Sequence, residues 1–132
     1  ALLREKLKVL DDWNVRRRAV AKQYDEGLRG LPLQLPVVPD WALPAWHLYV
    51  VATPKREPLR RYLEERGIGT VIHYPKPPHL QDCYASYRDR KLPLAERLAG
   101  EVVSLPMSPD MTDAEIAEVI AAVRGFFRDG GR

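Results

Sequence analysis

The chain has 132 residues, of which 45% are hydrophobic and 30% are charged, and its formal net charge is +3. This composition is typical of one globular domain and argues against a disordered chain. The positive excess is small and spread along the sequence, which argues against a nucleic-acid-binding module, because such modules cluster their cations. The single cysteine, Cys83, excludes an intramolecular disulfide and a cysteine-based zinc cluster.

No apolar run in the sequence is long enough to span a bilayer. No signal peptide opens the chain. We therefore expect a cytoplasmic protein without a membrane partner. The sequence begins at Ala1 inside a helical pattern that has no cap before it, and this start indicates a fragment or a processed chain.

Residues 1–30 are predicted to form one long connecting helix, and residues 31–132 a small C-terminal α/β domain. Apolar residues recur at helical spacing in the first segment. Such a helix would be about 40 Å long, and we expect it to pack against another domain or subunit. Its apolar stripe is expected to favour self-association. The stripe begins with Leu3, Leu7, Leu10 and Trp13.

The remaining chain alternates predicted strands and helices after a proline-rich connector. Three strands are predicted: one at 46–53, which is rich in aromatic and β-branched residues, one at 69–73 and one at 101–105. Three helices are predicted, at 55–67, at 92–99 and after a capping box formed by Thr112 and Glu115. This order indicates an α/β fold of the two-layer α+β type, in which a small three-stranded sheet is covered by helices.

Residues 67–84 carry the most concentrated indication of a site and read GIGTVIHYPKPPHLQDCY. His73 and Tyr74 end a predicted strand, and three prolines follow within four residues of Tyr74. Polar side chains on a loop that a rigid scaffold positions are typical of a binding-site rim. In the alternative interpretation, His73 caps the strand and Tyr74 packs on the core. The residues alone leave both interpretations open.

Other chemistries find little support in the sequence. The three histidines lack the spacing of a metal site, and there is no phosphate-binding glycine loop or nucleophile elbow. The lysines, including Lys76, have the setting of exposed charges. The serines, including Ser104, have no distinctive setting. We therefore predict no catalytic, metal-binding or cofactor-binding residue in this chain.

Several segments, in order, resemble the C-terminal region of the DegT/StrS family of pyridoxal-phosphate sugar aminotransferases. Residues 1–28 resemble the helix that follows the family's large domain, and the stretch WHLYVV resembles the first strand of its small domain. Residues 67–84 resemble the family's "GIGT-IHYP" region, and residues 95–123 its closing strand and helix. The resemblance implies a fold like the C-terminal domain of fold-type I pyridoxal-phosphate enzymes.

The resemblance implies that the parent protein transfers an amino group from glutamate to a nucleotide-linked keto-deoxysugar. The parent would use pyridoxal 5'-phosphate and form a homodimer, with its Schiff-base lysine upstream of Ala1. No cofactor is expected to be bound covalently to this chain, which would therefore be inactive alone. His73 and Tyr74 match the pair that reaches toward the hexose, whereas His47 and His79 are expected to be structural.

A second hypothesis from a different class is compatible with the same residues. The chain could be a free-standing, non-catalytic α/β module that binds a nucleotide-sugar or a protein partner. We expect such a module to open with a helix cap or a start methionine, and the sequence shows neither at Ala1. The aminotransferase hypothesis is therefore preferred.

Overall fold

The computed structural model describes residues 2–130. Helices and two short strands make up the secondary structure of these residues. The α-helices are α1 (Leu2–Leu7), α2 (Leu10–Leu28), α3 (Arg56–Glu64), α4 (Pro93–Glu101) and α5 (Asp113–Arg128). The strands are β1 (Tyr49–Ala52) and β2 (Val102–Leu105), and 3₁₀ turns occupy Pro78–Leu80 and Asp82–Tyr87. None of the helices in this part of the chain is both long and apolar enough to cross a membrane.

The two strands form an antiparallel sheet in which Tyr49 pairs with Leu105 and Ala52 with Val102. The α+β class is confirmed, but the prediction of three strands is wrong. Residues 69–73 contribute a single bridge, between Val71 and Ser104. No backbone hydrogen bond of Ile72 or His73 within the described residues extends this bridge, and Pro75, which has no backbone N–H, cannot resume the pairing.

The predicted long N-terminal helix is divided into α1 and α2. Lys8 and Val9 donate their backbone N–H groups to residues three positions earlier, at 3.2 and 3.3 Å, so α1 ends in a tightened turn. The residues around this break are exposed, so no packing within the described chain holds a continuous helix there. The division of the chain into residues 1–30 and 31–132 stays a prediction.

One buried cluster joins α2, α3 and α5 to both strands. On α2 it includes Val20, Tyr24 and Leu28, and the ring of Tyr24 lies 4.9 Å from that of Tyr49. Helices α2 and α5 approach closely at Gly27, where an added Cβ would meet the side chain of Ile120 at 2.7 Å. The core therefore fixes α2 on α5 and also holds β2, the strand that positions the site.

Helix α5 begins at the predicted capping box, which is confirmed. The Thr112 hydroxyl accepts a hydrogen bond from the Glu115 backbone N–H at 3.2 Å, and the Glu115 carboxylate accepts one from the Thr112 backbone N–H at 2.7 Å. These bonds satisfy two donors that a helix start otherwise leaves unpaired. The start of α5 is thus specified by local sequence.

The two core tyrosines predict a loss of stability at alkaline pH. The Tyr24 hydroxyl donates to the Pro106 carbonyl at 2.8 Å, and the Tyr49 hydroxyl donates to the Asp25 carboxylate at 2.5 Å. Burial raises the pKa of both phenols, and for Tyr49 the Asp25 carboxylate adds to the rise in pKa. The unfolded chain loses these protons near pH 10, whereas the folded chain retains them to higher pH.

We therefore expect the contribution of these phenols to the free energy of unfolding to be complete below about pH 10 and to decline above it. Urea unfolding across this range measures the slope. The variant Tyr49→Phe should show a shallower decline above about pH 10, because one titrating group is absent. An unchanged slope in the double variant Tyr24→Phe/Tyr49→Phe would assign the alkaline loss to other groups.

Candidate functional site

Ser104, a residue of β2, fixes the position of His73. The Ser104 backbone donates to the Val71 carbonyl at 2.8 Å and accepts from the Val71 N–H at 3.3 Å. The Ser104 hydroxyl lies 2.9 Å from Nδ1 of His73. Ser104 therefore binds the backbone of Val71 with its own backbone and the imidazole of His73 with its side chain.

Tyr74 projects away from the core, with 71% of its surface exposed. The peptide bond between His73 and Tyr74 is cis. The two rings lie edge to face, with centroids 5.5 Å apart and planes at 89°. The interpretation in which Tyr74 packs on the core is therefore wrong, and the structure brings the predicted pair together.

Both residues line a cavity of about 330 Å³ between the proline-rich rim and α4. One part of the wall is polar and the other is apolar. The polar side chains are His73, Tyr74, Lys76 and Gln81, and the apolar ones include Ala95, Leu98, Ala99 and Val102. A cavity with a few placed polar groups against an apolar wall is typical of a small-molecule site.

The rim, residues 75–82, is held together by contacts within itself. The Lys76 ammonium lies 3.1 Å from the Asp82 carboxylate, and the Gln81 side-chain amide donates to the Lys76 carbonyl at 3.1 Å. Exposed ion pairs of this kind contribute about 1 kcal/mol or less, so the fixed backbone angles of the three prolines are the stronger restraint. The rim is thus stiff without belonging to the sheet.

His79 fastens the rim to α4. Its Nε2 lies 3.1 Å from the Glu96 carboxylate, which also accepts the Leu92 backbone N–H at 2.9 Å. The Leu92 N–H and, after it, His79 hold the pKa of Glu96 below its usual range. His79 is buried and lies outside the 330 Å³ cavity, and His47 is exposed on the loop before β1. The structural roles expected for these two histidines stay predictions.

Ser104 was not predicted from the sequence to belong to the site. It is the polar position of the strand VVSL, whose neighbours Val103 and Leu105 are buried. A lone hydroxyl in a buried strand needs a hydrogen-bond partner. This requirement is the feature of the sequence that could have pointed to Ser104. Lys76 and Gln81 were also missed as cavity-lining residues, and the sequence carries no specific pattern for them.

The chain's lysines do not fit a covalent cofactor anchor. A lysine that forms a Schiff base is normally activated by desolvation or by a neighbouring charge. Each lysine within residues 2–130 is exposed. They are Lys6, Lys8, Lys22, Lys55, Lys76 and Lys91. In the same part of the chain, no group of three or more His, Cys, Asp or Glu side chains is placed to hold a metal ion.

Residues 1–124 match the sequence profile of the DegT/DnrJ/EryC1/StrS aminotransferase family. The chain is 43% identical over 126 residues to the dTDP-3-amino-3,6-dideoxy-alpha-D-galactopyranose transaminase of Aneurinibacillus thermoaerophilus, covering 96% of this chain and 35% of that protein. It is 46% identical over 127 residues to the dTDP-3-amino-3,4,6-trideoxy-alpha-D-glucose transaminase of Streptomyces venezuelae. This match covers 94% of this chain and 34% of that protein.

The fold is similar to that of solved aminotransferases. S. venezuelae DesV, crystallised in complex with a ketimine intermediate, superposes with a TM-score of 0.91 at 44% identity, covering 95% of this chain and 34% of that one. The chain thus spans about a third of the length of the relatives it matches. These matches confirm the resemblance that the sequence motifs gave. The chain belongs to the DegT/DnrJ/EryC1/StrS aminotransferase family.

Proposed function

We propose that this chain is the substrate-orienting small domain of a pyridoxal-phosphate-dependent aminotransferase. The whole protein transfers an amino group from glutamate to a nucleotide-linked keto-deoxysugar. His73 and Tyr74 contact the hexose in this proposal, and the protein acts in the cytoplasm as a homodimer. Two relatives named as transaminases of dTDP-linked amino-deoxysugars support the substrate class.

One observation carries the proposal for this chain. His73 and Tyr74 share the wall of the 330 Å³ cavity, and His73 is fixed by its contact with Ser104 at 2.9 Å. A keto-deoxysugar combines hydroxyl and carbonyl oxygens with apolar C–H faces. The imidazole and phenol provide hydrogen-bond partners for the oxygens, and the α4 side of the cavity provides apolar contact for the C–H groups. Holding the sugar in one orientation is itself a contribution to rate.

The covalent cofactor anchor is assigned to another part of the protein. The exposed lysines of this chain do not fit that role, although the family is one of pyridoxal-phosphate-dependent enzymes. The chain's own contribution is to bind and orient the sugar. The isolated 132 residues are therefore expected not to transaminate.

The proposal is tested on the native gene product from its source cells. Its intact mass should be several-fold above 15.1 kDa. The purified product should convert glutamate and a dTDP-linked keto-deoxysugar to 2-oxoglutarate and the amino sugar, which mass spectrometry identifies. A native mass near 15.1 kDa, together with nucleotide-sugar or protein binding without turnover, would instead support the free-standing module.

A further inference from the structure

We infer that Ser104 is a positioning residue that fixes the tautomer of His73, so that His73 offers its Nε2–H to an oxygen of the substrate. This inference rests on the proposed function, because the substrate is the keto-sugar assigned above. Ser104 on β2 thus joins the pair already proposed. The neutral imidazole of His73 carries its hydrogen on Nε2.

The hydroxyl of Ser104 has one place to donate its hydrogen. Ser104 is 4% exposed, and its Oγ lies 2.9 Å from Nδ1 of His73. No other hydrogen-bond partner for this hydroxyl lies within residues 2–130. A buried hydroxyl that donates to nothing is destabilising, so the O–H group donates to Nδ1.

The tautomer follows from this direction of donation. A neutral imidazole carries one hydrogen, and a ring nitrogen that accepts a hydrogen bond does not hold it. The hydrogen of His73 is therefore on Nε2. In the described part of the chain, Nε2 has no hydrogen-bond partner, and His73 lines the cavity. The cavity is thus offered an N–H donor, which matches a carbonyl or hydroxyl oxygen of a keto-sugar.

Ser104 is well placed to hold this arrangement without moving. Its backbone N–H and carbonyl are both paired with Val71, at 2.8 and 3.3 Å. The same residue belongs to β2 and pairs with Val50 of β1. A donor that is fixed by surrounding hydrogen bonds before the ligand arrives is preorganised, and it loses little freedom on binding.

A double-mutant cycle in the complete protein tests the coupling of Ser104 to His73. We expect Ser104→Ala to lower kcat/KM for the keto-sugar about three- to tenfold, the range of one neutral hydrogen bond. The kcat/KM for glutamate should stay within about twofold of the wild-type value. In a His73→Ala background, Ser104→Ala should have almost no further effect, because the two residues act as one unit.

The matched control for the cycle is Ser108→Ala. The Ser108 hydroxyl accepts a hydrogen bond from the Asp110 N–H at 3.2 Å in a local turn and does not contact His73. This variant removes the same chemical group just beyond the same strand. It should leave both kinetic constants unchanged.

A second pair of variants tests the tautomer directly. In His73→Gln the side-chain amide can place an N–H near the former Nε2, whereas in His73→Asn it reaches only the position of Nδ1. We expect the glutamine variant to retain at least about threefold more kcat/KM for the keto-sugar than the asparagine variant. Equal or better retention by asparagine would overturn the Nε2–H assignment.

The outcomes separate this inference from the proposed function. If His73→Ala leaves the keto-sugar kinetics unchanged, the proposed role of the pair fails. If His73→Ala is selective for the sugar but Ser104→Ala has no effect, only the role of Ser104 fails. An equal loss from Ser104→Ala in both backgrounds would mean that Ser104 acts through the fold, which also overturns the inference.

Discussion

Replacing His73 by alanine in the complete protein is expected to lower kcat/KM for the keto-sugar by about 100-fold, the order expected when a group that orients the substrate is lost. The kcat/KM for glutamate should change by less than about twofold. The physical reason is location, because His73 lines the cavity and is only half-buried, so its loss would remove the proposed substrate contact without opening the core.

Steady-state kinetics with each substrate varied in turn provide the measurement. The matched control is His47→Ala, the same substitution at an exposed histidine outside the cavity, and it should leave both constants unchanged. Equal losses toward both substrates in His73→Ala would mean that His73 supports the fold or a part of the site that both substrates share. The selective role proposed for His73 would then be excluded.

Replacing Phe126 by alanine is expected to lower the free energy of unfolding by about 3–5 kcal/mol. Phe126 is 1% exposed, and its ring lies edge-on to that of Tyr62 at a centroid distance of 5.5 Å. The substitution removes apolar contacts and leaves a cavity that the surrounding helices cannot fill completely. Domains of this size are stable by about 5–15 kcal/mol, so the loss is a large share of the total.

Urea unfolding of the wild-type protein and of Phe126→Ala measures the difference in the free energy of unfolding. An unchanged m-value would show that the two transitions expose the same amount of surface. Phe127→Ala is the matched control, because Phe127 is the adjacent residue of α5 and is only half-buried. It should destabilise the chain by clearly less than Phe126→Ala. An equal effect at both positions would show that the core does not centre on Phe126.

Elements that depend on neighbouring residues could be predicted from the sequence. The capping box of Thr112 and Glu115 specifies the start of α5 by contacts within four residues. Helices α3 and α4 also lie where their apolar spacing placed them, within a few residues at each end. Such elements are predictable because the residues that stabilise them are close in the sequence.

Features that depend on distant pairings could not be predicted in this way. The β-branched residues Thr70, Val71 and Ile72 favour a strand, but strand pairing beyond Val71 also requires a partner and free N–H groups. The break at Lys8 and Val9 likewise depends on what packs against the helix, which the helical spacing does not specify.

The candidate site shows the same division. His73 and Tyr74 were found because the prolines that follow them form a local pattern. Ser104 was missed because its significance depends on His73, which is 31 positions away in the sequence. His73 and Tyr74 can therefore be predicted from their neighbours in the sequence. The contribution of Ser104 depends on the folded position of β2.

The double attachment of Ser104 has a consequence for motion. Its backbone holds Val71 and its side chain holds His73, so a fluctuation that detaches the sheet edge at Val71 also releases the imidazole. Local opening in proteins occurs in such cooperative units. We therefore expect the edge of this small sheet and the histidine to open together, so that the fraction of time the edge stays closed would set the fraction of molecules in which His73 is held for the proposed substrate contact.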